Sequence, residues 1–170
     1  MSKTRRLAFA AVLISIMMVL GYLESLLPVS PVPGIKLGLA NSVLIVSLYW
    51  LGVPISFEIM LIKNVLLGLL LGNPMLIPYS VAGGIVSLTV MSLLYKRRGI
   101  SPVGTGIAGG VTHNIGQVLV AMIILSTPSL VFYLAVLMPA GAVMGFVTGM
   151  TAKTLMRHFP PDRTLNRQIN

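Results

Sequence analysis

The chain of 170 residues is 56% hydrophobic and only 9% charged, contains no cysteine and carries a formal net charge of +9. A soluble domain usually needs about 25% charged residues, so this composition belongs to an integral membrane protein. Without cysteine there is no disulfide, thiolate metal site or cysteine nucleophile. The positive charge sits in clusters beside apolar spans, which marks cytoplasmic helix ends and not a nucleic-acid surface.

A membrane-crossing helix needs about 20 apolar residues, and six spans can be laid along the chain. The first covers residues 7–27, after Lys3, Arg5 and Arg6. It exceeds the apolar core of a secretory signal, roughly 7–15 residues, and no small-x-small site follows it, so it reads as a retained anchor. Residues 28–38 hold three prolines and Lys36 and cannot be regular helix. The second span, 39–51, is short for a crossing. A turn at Gly52-Val53-Pro54 leads to the third, 55–71, which Gly72-Asn73-Pro74 ends. The fourth span is 77–95, closed by Lys96, Arg97, Arg98 and Gly99. The fifth is 103–125, broken at Ser126-Thr127-Pro128. The sixth is 130–155, with a bend expected at Pro139.

The expected architecture is thus an all-α, six-helix transmembrane domain over residues 1–156, followed by a polar tail, 157–170, disordered toward its end. An even number of spans places both termini on one side. The three basic clusters (Lys3, Arg5 and Arg6; Lys96 to Arg98; Lys153, Arg157, Arg163 and Arg167) then all fall in the cytoplasm.

Four charged residues are not explained by this topology: Glu24, Lys36, Glu58 and Lys63. Lys63 and Asn64 fall near the middle of the third span, where an unpaired ammonium is costly. His113, Asn114 and Gln117 lie at similar depth in the fifth; His113 and Gln117 are four apart and share a helical face. Lys36 and Glu24 fall on the face opposite the basic clusters. Lys36, Lys63, His113, Asn114 and Gln117 are therefore expected to line one outward-opening pocket for an anionic or polar small molecule. The bland alternatives are an ion pair of Lys63 with Glu58 or Glu24, backbone bonding by His113 and Gln117, a solvated Lys36, and helix-end roles for the two glutamates.

Small residues at four-residue spacing, Gly106 and Gly110, Gly68 and Gly72, and Gly141, Gly145 and Gly149, mark close helix packing. Ala11 and Ser15 could instead present a smooth face to another membrane subunit. There is no phosphate-binding loop, the only aspartate is Asp162, and the only histidines are His113 and His158. An aspartate-rich Mg²⁺–diphosphate site, a zinc site and a nucleophile elbow are all missing. No enzyme activity and no cofactor are expected.

The run from Glu24 to Pro28, the block from Pro33 to Asn41, the block from Tyr79 to Ser87 and the block from His113 to Gln117 resemble the Gx transporter family. Its members are also called heptaprenyl diphosphate synthase component I. The resemblance covers residues 7–155 and adds Asn41 and Tyr79 to the expected binding residues, which Asn64 joins from its mid-span place beside Lys63. That family is similar in size and span number to the substrate-binding S components of energy-coupling-factor transporters. The resemblance implies a subunit of the bacterial cytoplasmic membrane that takes a small molecule from outside and docks on a transmembrane coupling subunit driven by two ATPases. Ala11 and Ser15 on span one would form the docking face; S components carry alanines at this spacing, and Ser15 departs from that. The alternative is a non-catalytic membrane subunit in isoprenoid or quinone biosynthesis or in electron transfer.

Overall fold

The computed structural model describes residues 3–26 and 38–159. The proline-rich stretch with Lys36 and most of the polar tail lie outside the described residues. Six α-helices follow one another: α1 (Lys3–Leu26), α2 (Leu39–Leu51), α3 (Val53–Leu70), α4 (Leu76–Leu94), α5 (Pro102–Ile124) and α6 (Leu134–His158). A 3-10 turn, Pro128–Tyr133, leads into α6. Five spans are long and apolar enough to cross a membrane, and α2, with 13 residues, is shorter. The protein is a membrane-embedded helical bundle.

The helix ends follow local chemistry. Gly72 takes φ 64°, and the Asn73 N–H reaches back to the Gly68 carbonyl at 3.1 Å, so the last carbonyls of α3 are closed in a Schellman motif. Ser126 does the same for α5 at φ 50°, with Thr127 N–H donating to Met122 at 3.1 Å. Pro102 starts α5, where its missing N–H costs nothing, and the Ser101 hydroxyl accepts from the Gly104 N–H at 3.3 Å. Pro139 lies inside α6, as the sequence suggests.

The basic ends of the helices meet. Phe9 of α1 stacks on Trp50 at the end of α2, with ring centroids 5.6 Å apart. Tyr49 packs edge-on to Tyr95 at the end of α4, and its hydroxyl lies 3.2 Å from Thr105 at the start of α5. Gly149, late in α6, passes over Val103, where an added Cβ would stand 2.6 Å from the Val103 Cα. Lys3, Arg5, Arg6, Lys96, Arg97, Arg98, Lys153 and Arg157 therefore share one end of the bundle. Exposed apolar side chains such as Leu7, Val19, Leu69, Ile123 and Val143 cover the outside, as suits a lipid-facing surface.

Inside, the helices approach through glycine. A Cβ on Gly106 would stand 2.5 Å from the Gly145 carbonyl, and one on Gly141 would stand 2.7 Å from the Gly110 carbonyl. Backbone meets backbone along the whole α5–α6 seam, the kind of approach that small residues permit in membranes. The α4–α5 seam is similar: a Cβ on Gly116 would lie 2.9 Å from the Ala82 carbonyl. On the other side, Met17, Leu44, Ile45, Leu48, Ile59 and Met60 fill the core around α2.

Candidate functional site

A cavity of about 120 Å³ opens among the helices. It lies toward the end remote from the basic clusters, since Glu24 at the end of α1, Gly38 before α2, Leu71 after α3 and Leu76 at the start of α4 all border it. Asn41 from α2 and Lys63 and Asn64 from α3 line one side; His113, Asn114 and Gln117 from α5 line another. Lys63 is only 7% exposed and Asn64 only 4%. A lysine at the middle of a membrane helix is unfavourable by about 2.5–3.5 kcal/mol on insertion scales, and facing a cavity inside the bundle instead of lipid lowers this cost.

Asn64 and Asn114 each tie two helices together. The Asn64 amide Nδ2 donates to the Ser80 carbonyl of α4 at 2.9 Å and lies 3.3 Å from the Met60 sulfur. The Asn114 Nδ2 donates to the Leu137 carbonyl of α6 at 2.6 Å. In both cases a glycine stands four residues beyond the accepting carbonyl. A Cβ on Gly84 would come within 3.1 Å of the Asn64 Nδ2, and one on Gly141 within 2.7 Å of the Asn114 Nδ2. Bonds of this type between membrane helices average about 0.6 kcal/mol; here their larger effect is to fix the direction of each amide.

Glu24 has a structural task as well as a place at the cavity. Its carboxylate accepts from the Leu39 N–H, the first of α2. The N-cap residue is Gly38, at φ 75°, with no side chain to cap the helix, so α1 supplies the cap, and a carboxylate suits the positive end of the helix dipole. Glu58 is exposed near the basic end, on a different face of α3 from buried Lys63. Of the remaining wall, Leu44, Ile45, Leu67 and Leu76 are aliphatic, Met60, Met91 and Met144 contribute flexible thioethers, and Gly84, Gly109 and Gly110 present backbone. Among the described residues, no group of three or more His, Cys, Asp or Glu side chains could hold a metal ion.

Residues 13–155 match the family model for heptaprenyl diphosphate synthase component I. The chain belongs to the heptaprenyl diphosphate synthase component I family. The match runs from the middle of α1 to the last turn of α6, so every residue lining the cavity lies inside the family region. No curated protein and no solved structure matches the chain.

Of the residues expected in this component I chain's pocket, Asn41, Lys63, Asn64, His113, Asn114 and Gln117 meet at the cavity. Tyr79 is half-buried in the first turn of α4 and does not line it. Lys36 lies outside the described residues. Ala11 and Ser15 are exposed on the outer face of α1, opposite its buried Leu13, Met17 and Gly21, and the Ser15 hydroxyl bonds to the Ala11 carbonyl at 3.0 Å. The cavity-facing stripe of α4, Ser80, Gly84, Ser87 and Met91, was not anticipated. Its spacing of four, three and four residues is a helical face, and that periodicity could have revealed it.

Proposed function

We propose that this chain is the substrate-binding subunit of a small-molecule transporter, of the S-component kind, in the bacterial cytoplasmic membrane. Both termini and the tail 157–170 face the cytoplasm in this reading, because the basic ends of the helices cluster there. The cavity then opens to the outside. The observation that carries the reading is the nearly buried Lys63 set beside Asn64, His113, Asn114 and Gln117 in a cavity within an apolar bundle. Ionisable groups at that depth mark ligand or ion pathways, and Lys63 favours a ligand bearing a carboxylate or phosphate. The sequence has no phosphate-binding loop, so ATP-driven uptake would require a coupling subunit and two ATPases, docked along Ala11 and Ser15.

The family description favours a second reading, an accessory membrane subunit of isoprenoid or quinone biosynthesis or of an electron-transfer system. The chain's three acidic residues are Glu24, Glu58 and Asp162. Glu58 is remote from the cavity, which supports a non-catalytic part in such an assembly. Purification in mild detergent, with identification of co-purifying chains, separates the two. ATPase subunits with a membrane coupling protein support transport; a soluble prenyl synthase or redox protein supports the second reading and removes the first.

A further inference from the structure

We infer that the cavity recognises its ligand through a planar group carrying two N–H donors, of the urea or ureide kind. The inference rests on the reading of the cavity as a ligand site and narrows its substrate class, whatever charge the rest of the ligand carries. Two observations carry it: the direction of two asparagine amides, and the oxygens that this direction leaves open.

A carbonyl oxygen can only accept a hydrogen bond, so the atoms that meet Ser80 and Leu137 must be the NH₂ groups of Asn64 and Asn114. The Oδ1 atoms are then the ends turned away from those carbonyls, and an amide oxygen is an acceptor only. Neither oxygen takes a hydrogen bond from another described residue. Asn64 is only 4% exposed, yet its oxygen is not sealed in the core. Among the described residues, the buried side-chain nitrogens and oxygens without a partner are Arg6 Nε and Trp50 Nε1, both at the basic end. The Asn64 oxygen therefore opens on the cavity that the residue lines, and the Asn114 oxygen meets the same cavity from α5.

The cavity thus offers two fixed acceptors, one from α3 and one from α5. Turning either amide over would set its oxygen against a carbonyl oxygen, so neither can switch to donating. Gln117, on the same face of α5 as Asn114, and Asn41 of α2 also line the cavity. No described residue hydrogen-bonds to their amides, so each can donate to a ligand carbonyl. A urea is the complement of this set: two N–H donors flank one carbonyl acceptor, all in one plane. A carboxylate, an ether or a tertiary amide brings acceptors only and leaves both asparagine oxygens unpaired. A single hydroxyl meets one oxygen and leaves the other. Sites built to bond a donor discriminate strongly against analogues without it. The flat faces of such a group suit the aliphatic and thioether side chains of Leu44, Leu67, Met60 and Met91 around it.

The test uses wild-type protein in nanodiscs and three probes: hydantoin, its N-methyl derivative and its N,N′-dimethyl derivative, with binding measured by calorimetry at millimolar concentrations. The three share a ring and differ in N–H donors, so the comparison needs no variant to fold. Hydantoin should bind about tenfold or more tightly than the dimethyl compound, with the monomethyl compound between them. In Asn64→Ala and Asn114→Ala that preference should shrink. Equal affinity for hydantoin and the dimethyl compound overturns the donor requirement while leaving the cavity a ligand site. A preference undiminished in both folded variants overturns the assignment to the two asparagine oxygens. Failure of all three probes overturns the urea-type class, and the transport reading then stands or falls separately, on the small molecules released from purified protein.

Discussion

Asn114 donates its amide to the Leu137 carbonyl across the α5–α6 seam at 2.6 Å. Replacing it by alanine removes one interhelical bond, worth about 0.6 kcal/mol on average. Replacing it by aspartate sets a carboxylate oxygen against a carbonyl oxygen and leaves buried acceptors unpaired, a cost of about 1–3 kcal/mol. Thermal unfolding in detergent should therefore rank wild type above Asn114→Ala and Asn114→Asp lowest, several degrees below wild type. If Asn114→Asp melts with wild type, the Asn114–Leu137 bond does not contribute to the stability of the α5–α6 seam.

The glycine seam makes a matched pair of predictions. Gly106→Ala brings a methyl group to within 2.5 Å of the Gly145 carbonyl, and backbone cannot move aside locally. The helices must separate, and the yield of folded monodisperse protein should fall severely. Gly104→Ala meets only the Ile100 Cγ2 at 3.4 Å. It should be neutral or stabilising by up to about 1 kcal/mol, because alanine is the better helix former. Size-exclusion profiles and melting midpoints of both variants check this.

Lys63→Met should lower ligand occupancy by well over tenfold, since removing a charged partner of a buried ligand group costs about 2–5 kcal/mol. Lys96→Met, at the exposed basic end, should change little. The readout is mass spectrometry of small molecules released from equal amounts of purified protein. Equal release from both variants and wild type would remove the anionic-ligand reading.

Ala11 and Ser15 are exposed on α1, so Ala11→Leu and Ser15→Leu should leave folding and ligand binding unchanged. Loss of uptake in both is expected if this face docks a coupling subunit. Normal transport in both would place docking elsewhere.

Orientation can be read with single cysteines, because the chain has none of its own. Lys36→Cys and Asn73→Cys should label in intact cells with an impermeant maleimide, and Arg98→Cys should not. External labelling at 98 would invert or break the six-span topology.

The helices were largely legible in the sequence because the breaks are chemical. Gly38 and Gly52 bracket α2, and residues 39–51 are helical as the pattern predicts. Lys63, Asn64 and the polar trio of α5 were legible because a polar group in an apolar run has little other reason to be there. The spacing of Gly106, Gly110, Gly141 and Gly145 announced close approach but not its partner, which depends on tertiary geometry. The amide directions of Asn64 and Asn114 were invisible for the same reason, since each is set by a carbonyl 16 or 23 residues away. Tyr79 came from a recurring block and not from burial or charge, and the structure sets it apart from the cavity.

The glycine seams have a mechanical consequence. Along α4–α5 and α5–α6 the carbonyl of one helix sits where a neighbour's Cβ would be, so sliding either pair drives backbone into backbone. These three helices form a stator. On the opposite side, α1 and α3 meet through flexible side chains, as where Leu67 lies over Gly21, and such contacts can re-form after a shift. A displacement that this packing tolerates is therefore one of α1 against α3, with Glu24 carrying the start of α2 along whenever the end of α1 moves.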